Sequence, residues 1–170
     1  MFKFFLQIVL MIFFFSISSY SKNYESIIIK GNERISQETI LVFSELPDNK
    51  FLDENAINLI LKKLYSSGFF KDIVVKVENN RLLINIIENP IIQTVFIEGI
   101  KRKKTEESLY KILSLKSRSS FNLTELKKDE LALINFLKNE GYYFSTITSS
   151  YDELGDNQID LFYKIKLGKK

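Results

Sequence analysis

Carboxylates are the candidates for chemistry in this sequence: Asp53-Glu54, Glu106-Glu107, Asp129-Glu130 and Asp152-Glu153 each set two acids side by side. Such pairs act as acid and base, or hold a cation, when they share a cleft that drives their pKa values apart. Histidine and cysteine are absent from all 170 residues. That excludes Cys/His zinc centres, cysteine nucleophiles, Ser-His-Asp triads and disulfides. The positions of the acids point away from catalysis, because Asp53, Glu54, Glu106 and Glu107 stand where helices should begin. Negative charge is stabilised there by the helix dipole. Gly31, Gly68, Gly99 and Gly141 punctuate element ends and do not form a phosphate-cradling spacing. No catalytic, metal or cofactor-binding residue is assigned, no cofactor is expected, and the chain is expected not to be an enzyme.

The formal charge is +3, from 24 basic and 21 acidic residues spread along the chain. No basic stripe interleaved with aromatics stands out, so a nucleic-acid partner is not expected. The densest run, Lys101-Arg102-Lys103-Lys104, reads as a solvated turn, with contact to an anionic partner or lipid headgroup as the alternative. The N-terminus is different in kind. Lys3 precedes an almost wholly apolar stretch from Phe4 to Phe15, and Ser19 and Ser21 follow with the spacing of a cleavage site. This pattern predicts a secretory signal peptide over residues 1–21, cut between Ser21 and Lys22. The apolar run is shorter than the roughly 20 residues a membrane-spanning helix needs; an uncleaved anchor is the rival reading.

The elements that must position everything else come twice. Ser26-Ile27-Ile28-Ile29-Lys30-Gly31 is answered by Thr94-Val95-Phe96-Ile97-Glu98-Gly99, Phe51 by Phe121, and Gly68-Phe69-Phe70 by Gly141-Tyr142-Tyr143. A sustained offset between matching elements is the signature of a repeat. In the first copy, Ser36 is placed to cap a helix carrying Ile40 and Phe43 inward, and Phe51 is read as opening a second helix capped by Asp53. Ile57, Ile60, Leu61 and Leu64 form one face of that helix. Ile73, Val75 and Val77 alternate as a strand, Asn79-Asn80-Arg81 turns, and Leu83 to Ile87 returns. In the second copy, Asn122 and Glu125 suggest a capping box, Leu126, Leu133, Ile134 and Leu137 face inward, and strands are expected over Phe144 to Tyr151 and Ile159 to Leu167. The fold class is α+β: two tandem β-α-α-β-β units over residues 22–90 and 91–168. Each is a three-stranded mixed sheet in order 1-3-2, covered on one face by two helices.

Gly31-Asn32-Glu33-Arg34-Ile35, Leu64-Tyr65-Ser66-Ser67-Gly68-Phe69-Phe70-Lys71-Asp72-Ile73 and Glu88-Asn89-Pro90-Ile91-Ile92 together resemble the POTRA domains of the BamA family of outer-membrane protein assembly factors. The junction string is similar to the one joining that family's first two units. Ile100 departs from the asparagine usual after the second glycine. Family members also carry further units and a membrane barrel, so the chain, ending at Leu167-Gly168-Lys169-Lys170, is expected to be part of a longer protein or a POTRA-only one.

The resemblance implies a periplasmic docking or scaffold module at the outer membrane. Its expected partners are unfolded outer-membrane protein precursors, periplasmic chaperones or accessory lipoproteins. Two alternatives stay open: the POTRA pair of a two-partner secretion translocator, and a division-type anchored structural protein. An edge strand can take up an extended peptide through main-chain hydrogen bonds. The expected peptide-binding edge is Asp72, Ile73, Val74, Val75, Lys76 and Val77, with Phe144 to Tyr151 as its counterpart. Against this stands the fact that every open sheet has edges, which proteins usually protect.

Overall fold

A computed structural model describes residues 22–169; the signal-like segment 1–21 lies outside the described residues. The first unit begins with β1 (Lys22–Asn23) and β2 (Ser26–Lys30), then α1 (Gln37–Ser44), β3 (Phe51–Leu52), α2 (Glu54–Ser66), β4 (Phe70–Glu78) and β5 (Arg81–Glu88). The second runs β6 (Ile91–Glu98), α3 (Lys103–Ile112), α4 (Leu123–Asn139), β7 (Thr146–Gly155) and β8 (Gln158–Lys166). Each unit holds a three-stranded sheet, in the orders β2-β5-β4 and β6-β8-β7. The outer β2 and β6 run parallel to the central strand, and β4 and β7 run antiparallel to it. Both sheets therefore have the expected 1-3-2 order.

Local chemistry sets the element ends. The side chains of Ser36 and Asp53 accept from the N–H groups of Thr39 and Ala56, satisfying donors that a helix start leaves orphaned. Asn122 accepts from Thr124 and Glu125, while Glu125 pairs with Lys128 instead of reaching back as a capping box would. Asn79-Asn80 and Asp156-Asn157 close the two hairpins with positive φ at both positions, the tight geometry that asparagine tolerates and that matches strand twist. Gly31 and Gly99 tuck beneath the central strands. A Cβ at either would lie 2.0 Å from the carbonyl oxygen of Ile86 or 1.9 Å from that of Ile165.

Two cores result. In the first, Ile40, Leu52, Ile60 and Leu64 pack on Leu82 and Ile84; in the second, Leu109, Leu133 and Leu137 pack on Ile159, Leu161 and Tyr163. Truncating any of these to alanine should cost about 2–5 kcal/mol. Phe51 corrects one expectation: it does not open a helix but pairs with Asn23 in the short β1–β3 ribbon. Asp53 then caps α2 as anticipated. The strand expected from Phe144 starts at Thr146, leaving Tyr143 and Phe144 exposed in the preceding loop. No helix among the described residues is long and apolar enough to cross a membrane.

Candidate binding edges and the joint between the units

β4 carries all six residues of the expected binding edge, Asp72 to Val77, and forms one margin of its sheet. Phe70 pairs with Glu88 and Asp72 with Ile87, so Lys71 is an extra, bulged residue. The bulge lets both Phe70 and Ile73 face the core, a spacing that plain alternation would forbid. Beyond it, Ile73 and Val77 are buried and Val75 half-buried, while Val74 and Lys76 face solvent. Ile73 does not donate to β5. Its N–H meets the Tyr65 hydroxyl at 3.1 Å and the Asp72 carboxylate at 3.0 Å. Antiparallel alternation then turns the backbone groups of Val75 toward the open margin as well. The first outward donor of the edge thus has a side-chain partner, one of the ways proteins blunt an edge.

β7 is the corresponding margin of the second sheet. Its inward side is thin: Ile147 is half-buried, Ser149 bonds Glu130 on α4, and Tyr151 packs at a tilt against Phe121 with ring centroids 5.1 Å apart. Burial would raise the Glu130 carboxyl, but hydrogen bonds from Lys127 and Ser149 outweigh it and hold the pKa below its usual value.

Two buried carboxylates do structural work. Oε1 of Glu88 accepts the N–H groups of Glu33, Arg34 and Ile35 at 2.9, 3.0 and 2.8 Å. Oε2 makes no hydrogen bond and is held by the Arg34 guanidinium 3.4 Å away. Arg34 also donates to the Asn89 carbonyl and, at 3.2 Å, to Ser120 of the second unit. The linker is bonded on both sides. Asn89 donates to Phe69 and Gly68, Pro90 accepts from Phe121, and Asn157 at the second hairpin accepts from Ile91 and donates to the Glu88 carbonyl. In the second unit, Asp129 accepts from the backbone of Ser114 and Leu115 and from the Tyr163 hydroxyl at 3.0 Å. Burial, with Asp129 beside it, pushes the Tyr163 phenol well above its usual pKa.

The acid pairs of the sequence are not gathered into one cleft. Asp53 caps α2, Glu106 lies in the first turn of α3, and Asp129 and Glu130 have the structural partners just given. Among the described residues no group of three or more acids could hold a metal. The sequence showed Glu88 only as part of the junction string, and the buried roles of Glu88 and Asp129 were missed, yet periodicity carried a signal for both. Asp129 falls on the stripe of Leu126, Leu133 and Leu137, and Glu88 alternates in step with Leu82, Ile84 and Ile86. A charge on a buried face requires a partner. Where the units meet, a cleft of about 280 Å³ gathers the exposed Ile87, Leu123 and Tyr151, with Lys71 of β4 and Glu153 of β7 among its walls.

The architecture defines the class: a tandem of POTRA-type units. Residues 90–168 match the POTRA family, described as surface antigen variable number repeat. The chain is 26% identical over 151 residues to the outer membrane protein assembly factor BamA of Neisseria meningitidis, covering 85% of this chain and 18% of that protein. It is 23% identical over 141 residues to BamA of Neorickettsia risticii, covering 83% of this chain and 19% of the relative. The chain thus spans about a fifth of the length of these relatives. Among solved structures, POTRA1-2 of Omp85 from Anabaena shares the fold with a TM-score of 0.58 at 11% identity, over 90% of this chain and 99% of that one. The N-terminal domain of Omp85 from Thermosynechococcus elongatus superposes with a TM-score of 0.59 at 15% identity, over 85% of this chain and 63% of that one.

Proposed function

We propose that this chain is an exported, non-enzymatic docking module of an outer-membrane β-barrel assembly machine, made of units at 22–90 and 91–168 behind a signal peptide at 1–21. It works in the periplasm at the outer membrane, as part of a protein whose barrel lies outside this sequence. Its partners are unfolded barrel precursors, and chaperones or accessory lipoproteins that bring them. Similarity to the BamA proteins supports the setting, and β4 supports the mechanism. That strand is a margin with an alternating face and backbone groups of Val75 turned outward. An extended precursor segment would pair along Asp72 to Val77, gaining main-chain hydrogen bonds with little demand on sequence. Tyr65 and Asp72 must yield the Ile73 N–H to the incoming strand, which weakens the pairing.

The test is Val75→Pro, which removes one edge donor, with affinity for a strand peptide from a barrel precursor read by calorimetry. Loss of one or two main-chain bonds should weaken binding about tenfold. Unchanged affinity in a variant with native circular dichroism would refute pairing at β4. Tyr65→Phe leaves the Asp72 carboxylate as the one side-chain acceptor described on the Ile73 N–H and should bind more tightly.

A further inference from the structure

The densest cationic run, Lys101 to Lys104, takes no part in the strand margins or the joint. It follows β6 and opens α3, and all four side chains are exposed. The fold adds cations to it from other segments. β6 and β8 run parallel and end together, with Gly99 packed beneath the Ile165 carbonyl, which brings Lys166 to the same end of the sheet. Lys138, in the last turn of α4, reaches that end too, because β7 starts there with Thr146 opposite Lys166. Between α4 and β7 the chain exposes Tyr143 and Phe144, at 66% and 74%, and neither belongs to the core. Their loop is fixed to the end of β8. Ser145 donates to the Leu167 carbonyl at 2.9 Å, and a Cβ on Gly168 would meet the Phe144 carbonyl. Among the described residues, none of these cations is in an ion pair. Of the acids at this end, Glu98 stands beside Lys164, Glu106 and Glu107 lie further along α3, and Glu140 follows Lys138. Asp152, Glu153 and Asp156 sit at the opposite end, toward the first unit. The second unit is therefore polarised, with cations and protruding aromatic rings at one end and acids at the other.

We infer that this end of the second unit binds the anionic surface of a phospholipid bilayer, independently of strand addition at β4. Each lysine or arginine near such a surface is attracted to it, and salt screens the attraction. Tyr143 and Phe144 would seat their rings at the headgroup level, where aromatic side chains are favoured. A bilayer presents charge over a continuous plane, so cations from three chain segments need no individually matched partners. An acidic protein is the poorer fit, because protein anchors fill pockets and these rings protrude. The acids at the opposite end would hold the first unit away from the same surface.

The chain contains no tryptophan, so Phe144→Trp places a unique fluorescent reporter in the full chain. Vesicles of mixed phosphatidylglycerol and phosphatidylcholine should shift its emission to the blue, and brominated phosphatidylcholine in them should quench it. Pure phosphatidylcholine vesicles, or about 0.5 M sodium chloride, should leave the emission as it is in solution. Val42→Trp, at an exposed site on the first unit, should not shift with either vesicle. Lys101→Gln, Lys103→Gln and Lys104→Gln, combined in the reporter chain, keep good helix formers at the start of α3. Together they should weaken affinity for the anionic vesicles at least about tenfold, with native circular dichroism. An equal shift on neutral vesicles overturns the inference, as does unchanged affinity in the triple variant or an equal shift at Val42→Trp. So does a shift with polyglutamate but none with anionic vesicles, which would assign this end to an acidic protein.

Discussion

The two units share a topology but fasten it differently, and the turn after the first strand shows how. In both, a glycine packs under the carbonyl of the central strand, Gly31 under Ile86 and Gly99 under Ile165. Two residues past that carbonyl the first unit has Glu88, which gathers three N–H groups of the turn; the second has Leu167. The second turn carries Lys101 and Arg102 instead, and Arg102, the N-cap of α3, makes no side-chain capping bond. Its own buried carboxylate, Asp129, sits on a helix and ties the loop between α3 and α4 to the central strand. The backbone contact is what the architecture demands, whereas the polar fastener is free to move. Glu88 stands where the units meet, so in this chain the fastener of one unit also serves the joint.

Breaking the shared element should cost most. Gly31→Ala and Gly99→Ala each drive a Cβ into a backbone carbonyl at positive φ. Each should destabilise its own unit by about 3–5 kcal/mol, measured by urea unfolding with a reporter in each unit. Glu88→Leu, which copies the second unit, should come next at about 3 kcal/mol by the same measurement, because three N–H groups and Arg34 lose their acceptor. It should also loosen the joint, seen as faster amide exchange at Ile91 and Phe121. Asp129→Asn should lower stability by about 2 kcal/mol in the second unit alone, the contrast that separates an internal fastener from a shared one.

Tyr163→Phe is the smallest change, about 1 kcal/mol at neutral pH, and it sharpens the comparison through pH. The folded pKa of Tyr163 is raised, so its contribution is complete below the unfolded value of about 10. It is lost as pH climbs above that toward the folded value. Alkaline titration of the melting temperature should fall less steeply in Tyr163→Phe than in the native chain.

What could be read from the sequence was local. Ser36, Asp53 and Asn122 cap helices because their partners lie two or three residues away. The sheet order followed from connectivity and from which strands are apolar. What stayed hidden depends on distant chain segments. Glu88 meets donors 53 to 55 residues earlier, and the β1–β3 ribbon pairs Asn23 with Phe51. The bulge at Lys71 breaks alternation at the very start of the proposed edge, so Phe70 and Ile73 share a face that a period of two keeps apart. The edge residues themselves were legible as a strand, but the hydroxyl of Tyr65 on Ile73 was not, since a helix side chain supplies it.

The bonded linker has a mechanical consequence. Asn89 and Pro90 use their backbone groups in contacts to Phe69, Arg34 and Phe121, which leaves no slack loop for a protease to draw into its cleft. A pull applied beyond Gly168 would pass through β8 and the Asn157 turn straight into the central strand of the first unit. The pair would then act as a stiff strut, so that displacing one end swings the other instead of stretching the chain between them.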